Sequence, residues 1–194
     1  MDIRKFTPTV NLYSGRLNEI KEDVLSEALK LRSSVYADAG YIDRATLGTS
    51  LNKDETDISA THVVSISNKA LTGYCRLVPT KNHLAPEVQR FCVKREFRNN
   101  TDGSGVVFSL FAELIAISLR SDYPILQITI DNRFLKFCRR VNLSIETAGA
   151  PFFYMGSDCT PCILDYRKTL AINKENPVFE FTYNYLRNLG LTNV

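Results

Sequence analysis

The stretch Val106–Ser121, VVFSLFAELIAISLRS, is largely apolar, and it follows directly on a glycine-containing segment, Arg98-Asn-Asn-Thr-Asp-Gly103-Ser-Gly105. A helix of that composition must be covered by another layer of protein. Just upstream, EVQRFCVKREF (87–97) alternates as a strand does, placing Glu87, Gln89, Phe91 and Val93 on one face and Val88, Arg90 and Cys92 on the other. Strand, glycine turn and helix from about Val106 form an anion-binding construction. Glycines let a phosphate approach the backbone, and the first helical turn offers unpaired N–H groups. Turning a corner is the other use of such glycines. No Gly-Lys-Ser or Gly-Lys-Thr follows, which excludes a Walker-type ATP site, and a Rossmann turn would come after the first strand rather than after several.

A chain of 194 residues provides one core, so we expect a single domain over 1–194. Hydrophobic residues at 44%, with Lys+Arg 24 against Asp+Glu 21, disfavour disorder and a strongly basic nucleic-acid-binding surface. No apolar run approaches a membrane span, and the charged opening MDIRKFTPTV lacks a signal-peptide core. The expectation is a cytoplasmic protein without stable membrane insertion and without a nucleic-acid partner. Cys75, Cys92, Cys138, Cys159 and Cys162 are odd in number, against a disulfide scaffold. Cys159-Thr-Pro-Cys162 has redox spacing, but with two histidines in the chain and no second cysteine pair we read ordinary thiols and expect no metal.

Between Asn18 and Tyr36, Ile20, Val24, Leu25, Ala28, Leu31 and Val35 recur at helical spacing. Residues 40–59 are polar and irregular, a long loop of the kind that often carries function or is a surface insertion. THVVSIS (61–67) and LTGYCRLVPT (71–80) read as paired strands about a turn at Asn68-Lys69. ILQITI is a strand and NRFLKFCRRVN an amphipathic helix. LSIETAG and CILDY are further strands with a hairpin-like PFFYMGSD between them, and Pro177–Leu189 is a last helix ending near Gly190. The class is α/β.

Several of these words occur in one order: Arg32 with Tyr36 on the first helix, Asp54-x-x-Asp57 in the long loop, Gly73-Tyr-Cys-Arg76-Leu-Val-Pro79-Thr80, and Glu87-Val-Gln-Arg90-Phe-Cys-Val. Over residues 30 to 150 the chain resembles the autoinducer synthases and long-chain N-acyl amino acid synthases of the GNAT-like acyltransferases. The resemblance implies a GNAT-like fold, a central, mostly antiparallel mixed sheet flanked by helices. It also implies transfer of a fatty acyl group from acyl carrier protein to an amine. Two departures bear on the amine: Asn52 stands where the homoserine-lactone makers have their first loop acid, and Trp is absent, Tyr41 being the nearest aromatic. The resemblance therefore favours an N-acyl amino acid synthase, with tyrosine or another aromatic amino acid as acceptor (an N-acyltyrosine product). The alternatives are an acyl-homoserine-lactone synthase using S-adenosylmethionine, an acetyl-CoA acetyltransferase, and a noncatalytic acyl-carrier-binding module.

Under that resemblance Glu87 is the general base, directly or through water, with Arg90 beside it in the catalytic pair. Arg90 faces away from Glu87 on an unbulged strand; either a β-bulge or an ion pair with Asp54 or Asp57 on the other face reconciles the two, and we favour the ion pair. Arg32 and Arg76 are expected to join that cluster or to bind the substrate carboxylate, and Asp54 and Asp57 to meet its ammonium group. Tyr36 and Tyr41 complete the acceptor site. No cofactor is expected to be tightly bound. The donor's phosphopantetheine arm falls to Phe91, Cys92, Val93, Arg98, Asn100, Asp102, Gly103, Ser104 and Gly105. Asn100 stands where GNAT proteins carry a longer residue, which weakens coenzyme A as donor. Lys94, Arg95, Arg98, Arg133, Lys136, Arg139 and Arg140 would form a rim for the acidic carrier or simply a solvated face. Phe108, Phe111, Leu114, Ile115, Phe152, Phe153, Tyr154 and Met155 are candidates for an acyl sleeve, although most also suit a core. His62 and His83 receive no catalytic role.

Overall fold

The computed structural model describes residues 10–46, 54–81, 85–98, 101–154 and 156–191. Asn52, His83, Asn100 and Met155 lie outside them.

Eight strands form one sheet: β1 (Val10–Gly15), β2 (Thr61–Ser67), β3 (Ala70–Val78), β4 (Glu87–Val93), β5 (Leu126–Asp131), β6 (Ile145–Thr147), β7 (Phe152–Tyr154) and β8 (Ser157–Leu164). Their order is β1-β2-β3-β4-β5-β8-β6, with β7 also on β8. Every pairing is antiparallel except β4 with β5. The β2–β3 hairpin turns at Asn68 and Lys69, with φ of 50° and 64°, the left-handed pair that a tight two-residue turn requires.

Helix α3 (Thr101–Arg120) connects the parallel pair β4 and β5 and packs its apolar sides on the sheet and on α6 (Glu180–Asn188). Its close approach depends on Gly73: a Cβ there would lie 2.7 Å from Val106 Cγ1 and 3.0 Å from Leu110 Cδ1. Leu135 and Cys138 of α4 (Asn132–Arg140) join the same core, and Asp131 caps α4 by accepting from the N–H groups of Arg133 and Phe134. On the opposite face α1 (Glu22–Asp38) packs Leu25, Ala28 and Leu29 against Val64, Tyr74 and Cys92. Arg32 continues that buried stripe one turn on, so a charge enters a layer that is otherwise apolar.

Several boundaries differ from the sequence reading. Strand β1 and helix α5 (Tyr166–Ile172) were not expected; Asp165 caps α5 through the Lys168 N–H, which ends the strand read as CILDY before Tyr166. The strand starting at Glu87 stops at Val93, and Arg95–Phe97 is a 3-10 turn. Helix α3 begins at Thr101, five residues earlier than expected. Gly103 and Gly105 therefore belong to the helix itself rather than to a loop before it. Within residues 40–59, Arg44–Thr46 form a 3-10 turn and Thr56–Ser59 a single helical turn, α2.

Phe152, Phe153 and Tyr154 are exposed on β7, at 44%, 73% and 50%, and are thus no buried acyl sleeve. Phe108, Phe111, Leu114 and Ile115 lie in the α3 core. All five cysteines are buried and free, with burial pushing Cys92 and Cys138 up to about 12, so they are inert thiols rather than nucleophiles.

Candidate active site

The alternation expected along β4 fails at Arg90. Tyr74 pairs with Cys92 and Arg76 with Gln89, so Arg90 and Phe91 together stand opposite Cys75, and Arg90 has a φ of 56°. This β-bulge shifts the side-chain faces by one residue. Val88, Phe91 and Val93 pack on the α3 side, where the Phe91 ring lies 5.1 Å from both Phe111 and Phe134. Cys92 packs beneath α1, and Arg90 lies over the ring of Tyr36 from α1, at 5.5 Å. Glu87, Gln89, Arg90 and Cys92 thus share the α1 face. The expectation that Arg90 turns away from Glu87 is corrected, and bulge and ion pair occur together.

The charged residues on this face form one network. Arg32 holds Asp57 in two parallel hydrogen bonds, Nη1 to Oδ1 at 2.9 Å and Nη2 to Oδ2 at 3.0 Å. Arg76 Nη1 donates to Asp54 Oδ1 and Asp57 Oδ1, both at 2.6 Å, and Arg90 Nη2 donates to Asp54 Oδ2 at 3.1 Å. Arg32 and Arg76 are each 2% exposed and Asp57 is fully buried, so these charges persist only as mutual partners. Arg76 lies in β3, an interior strand of the sheet, so its charge has no solvent of its own. Burial alone would raise the Asp57 carboxyl. The hydrogen bond from Arg32, the Asp54 N–H and the hydrogen bond from Arg76 reverse that and hold it at about 2. Asp54 is likewise lowered, burial being outweighed by Arg76 and Arg90.

Gln89 joins this network to Glu87. Its Oε1 accepts from Arg76 Nε at 3.2 Å and Nη2 at 2.7 Å, which orients the amide so that Nε2 donates to Glu87 Oε2 at 2.8 Å. Thr129 of β5 donates to Glu87 Oε1 at 3.4 Å. Sequence reasoning gave neither Gln89 nor Thr129 a role. Shared alternation with Glu87 was the only signal for Gln89, and nothing local pointed to Thr129.

Gln127, Thr129 and Asp131 are the half-buried residues of β5, while Leu126, Ile128 and Ile130 face the α3 core. With Glu87, Gln89 and Arg90 they make a polar floor beside the end of α1. Tyr36 and Tyr41 meet edge to face at 5.5 Å along its margin. Burial raises both hydroxyls, Tyr36 to about 12, while Ser157 of β8 acts against the rise at Tyr41. Phe152 pairs with Cys159 and Tyr154 with Ser157, so the β7–β8 hairpin adjoins Tyr41.

β4 and β5 pair at Glu87–Gln127 and Val88–Ile128, and their pairing stops where the bulge begins. The N-terminus of α3 lies past the far end of β4. A Cβ on Gly105 would meet nothing within 4 Å, so the helix presents open backbone there. Arg98 is tied to this junction by its Nε, which donates to the Val93 carbonyl at 2.7 Å. The side chains of residues 101–104 are not described. A phosphate fits this junction: a helix N-terminus, whose first-turn N–H groups have no intrahelical partner, an uncovered glycine at Gly105 and the tethered guanidinium of Arg98. Among the described residues no group of three or more His, Cys, Asp and Glu converges as a metal site, and no helix is long and apolar enough to cross a membrane.

An open, mostly antiparallel sheet with one parallel pair opening at a bulge, an apolar helix crossing between those strands and a second helix on the opposite face define the GNAT acyltransferase fold. Solved structures with that fold include BjaI, a CoA-dependent acyl-homoserine lactone synthase, at TM-score 0.70 and 14% identity over 89% of each chain. The acyl-homoserine lactone synthase LasI gives 0.69 and 18%, covering 81% of this chain and 90% of its own. An acyl-CoA N-acyltransferase from Pseudomonas aeruginosa gives 0.60 and 12%, covering 80% and 99%. The sequence itself matches no family model and no curated protein. The resemblance read from the sequence thus agrees with an autoinducer-synthase-like GNAT architecture.

Proposed function

We propose that the protein is an N-acyltransferase that moves a long-chain acyl group from the phosphopantetheine thioester of acyl carrier protein to the α-amine of an amino acid, tyrosine or another aromatic. The carrying observation is the bulge at Arg90, which gathers Glu87, Gln89 and Arg90 on one face where β4 parts from β5.

In this reading the donor arm enters where the two strands diverge, along the backbone of Phe91, Cys92 and Val93. Its phosphate rests on the first turn of α3 near Asp102, Gly103, Ser104 and Gly105, with Arg98 at the rim. The amino acid lies on the polar floor. Its ammonium faces Asp54, which is 33% exposed, and its carboxylate faces Arg90 beside Tyr36. Glu87, held by Gln89 and Thr129, takes a proton from the amine directly or through water. The nitrogen attacks the thioester carbonyl and the C–N bond forms; its second proton passes to the sulfur as the C–S bond breaks, so the arm leaves as the free thiol. Main-chain N–H groups on the β5 side of β4 stabilise the oxyanion. Arg133, Lys136, Arg139 and Arg140, exposed on α4, join Lys94, Arg95 and Arg98 as the surface for an acidic carrier.

Acyl-homoserine-lactone synthesis is the second reading. It is favoured by the higher TM-scores of BjaI and LasI relative to the Pseudomonas N-acyltransferase. Asn52 and the absence of Trp weigh against it. Incubation with long-chain acyl carrier protein or acyl-CoA and a mixture of amino acids, followed by mass analysis, tests the proposal. An N-acyl amino acid with release of the free carrier thiol is the expected result. A lactone that forms only with S-adenosylmethionine selects the second reading, and the absence of both product and thiol release overturns both.

A further inference from the structure

His62 is fully buried on β2 and its ring is held at both nitrogens. Nε2 lies 2.9 Å from the Asp57 carbonyl oxygen and Nδ1 lies 2.9 Å from the Tyr74 hydroxyl. A carbonyl oxygen only accepts, so Nε2 carries the proton and donates. Nδ1 is then bare and accepts from the Tyr74 O–H. This geometry specifies one tautomer of the neutral ring.

We propose that His62 is a positioning residue for the acceptor site: its neutral ring pins the main chain of α2 at Asp57, fixes the network of Arg32, Arg76 and Asp54, and lets that network loosen in acid. What the site receives rests on the acyltransferase reading, whereas the ring geometry does not.

The first argument is mechanical. Helix α2 is one turn of four residues without a side-chain cap, too short to sustain itself. Its hold on the protein is Asp57. The carboxylate meets Arg32 and Arg76, the N–H donates to Asp54 Oδ1 at 3.2 Å, and the carbonyl is held by His62. Without the ring, the carbonyl loses its buried donor and the turn is held only through the Asp57 carboxylate and its N–H bond to Asp54.

The second argument is electrostatic. The groups facing the ring are Tyr74 and Arg76 from β3, Asp57 from α2 and Arg32 from α1, while β1 places only Gly15 opposite it. A proton on Nδ1 would add a third cation beside Arg32 and Arg76 and force the Tyr74 hydroxyl to turn from donor to acceptor. Asp57, the one carboxylate at the ring among the described residues, is already committed to both guanidinium groups. Burial in the first place, with Arg32 and Arg76 behind it, keeps His62 below the ordinary 6.5 despite the favourable pull of Asp57. The sign follows: a proton on Nδ1 keeps the Nε2–H bond to Asp57 but breaks the bond from the Tyr74 hydroxyl and sets a third cation against Arg32 and Arg76, so the arrangement is intact above pH 6.5 and is lost as pH falls through the lowered value.

Two measurements test this on the full chain. Two-bond 1H–15N correlation spectra have two histidines to resolve, and His62→Gln identifies the His62 signals by removing them. The expected pattern is the neutral Nε2–H tautomer at pH 7, with a His62 midpoint below the ordinary 6.5. An Nδ1–H pattern, a charged ring at pH 7, or an ordinary midpoint overturns the proposal. Steady-state kinetics then separate positioning from general stability. His62→Leu, which removes the donor to the Asp57 carbonyl, should raise the amine KM about tenfold with donor KM little changed, and His62→Gln, which keeps a donor near Nε2, should restore most of that loss near neutrality. In the wild type the amine KM should climb toward low pH, and in either variant that climb should flatten. Tyr74→Phe, which removes the donor to Nδ1, should move the wild-type climb to higher pH. An acid climb identical in wild type and His62→Gln overturns the proposal. If no amine is acylated at all, the acyltransferase reading fails while the tautomer measurement still decides the geometry.

Discussion

Arg90 reaches Asp54 at 3.1 Å from a backbone with φ of 56°, so one of the two residues that tie the acidic loop to the sheet is also the residue that bulges the strand. A non-glycine residue in the left-handed region costs of order 1 kcal/mol and persists where its surroundings hold it. Here the ion pair and the Tyr36 ring do so. The bulge places a guanidinium and the Glu87 carboxylate on one surface, and their separate grips on Asp54 and Gln89 keep them from neutralising each other directly.

Glu87→Gln follows from that separation. The amide is nearly isosteric and can still meet Gln89 and Thr129, so the fold and donor binding should survive, while the proton acceptor is gone. Turnover should fall about 10²- to 10⁴-fold, the range general-base catalysis contributes, with donor KM little changed. Single-turnover formation of the amide is the direct measurement, and an unchanged rate would remove Glu87 from the chemistry.

Asp57→Asn addresses the buried charges. The variant leaves Arg32 and Arg76 with weaker partners in a buried site, and unbalancing such a pair costs about 3–5 kcal/mol. The pH dependence has a definite sign. Folded Asp57 sits at about 2 against an ordinary 3.8, so its contribution is present above pH 3.8 and drains away as pH falls toward 2. Wild type and variant should therefore differ most in urea midpoint near neutrality and converge in strong acid. A constant difference across that range would show that the carboxylate charge is not what matters.

The hairpin at Asn68-Lys69, strand β2 and helix α4 were legible because each is written in local periodicity and turn chemistry. The Arg/Asp network was legible as charge balance, since buried arginines need carboxylates and the loop supplies two. What escaped depends on pairing between distant segments. The bulge is defined by Cys75 standing opposite two residues of β4, and no local signal marks a left-handed arginine. Thr129 comes to Glu87 only because β5 returns parallel to β4 after α3. Helix α3 starts at Thr101 although glycine disfavours helix, because packing of the helix below outweighs propensity at its first turns. Helix α5 carried a readable Asp165 cap that the strand reading overran.

Gly73→Ala tests the packing that sets α3 on the sheet. The added methyl would stand 2.7 Å from Val106 Cγ1, closer than nonbonded carbons approach, so Val106 and Leu110 must shift or the helix must lift. Overpacking of this kind costs about 1–3 kcal/mol. A drop in urea midpoint with unchanged slope is the expected result, and a midpoint equal to wild type would show that the interface yields freely.

Gly105→Leu separates folding from donor binding at the other end of the same helix. Space around Gly105 is open and α3 is regular there, so leucine, a better helix former by roughly 0.5–1 kcal/mol, should leave the melting temperature unchanged or raise it. Its side chain would nonetheless cover backbone that a phosphate must approach. Donor KM should rise about tenfold or more, amine KM should change little, and binding of pantetheine without its phosphate should be affected less than binding of phosphopantetheine. Equal losses for both arms would place the obstruction on the thioester path rather than at the phosphate, and unaltered donor binding in a stably folded variant would remove the first turn of α3 from the donor site.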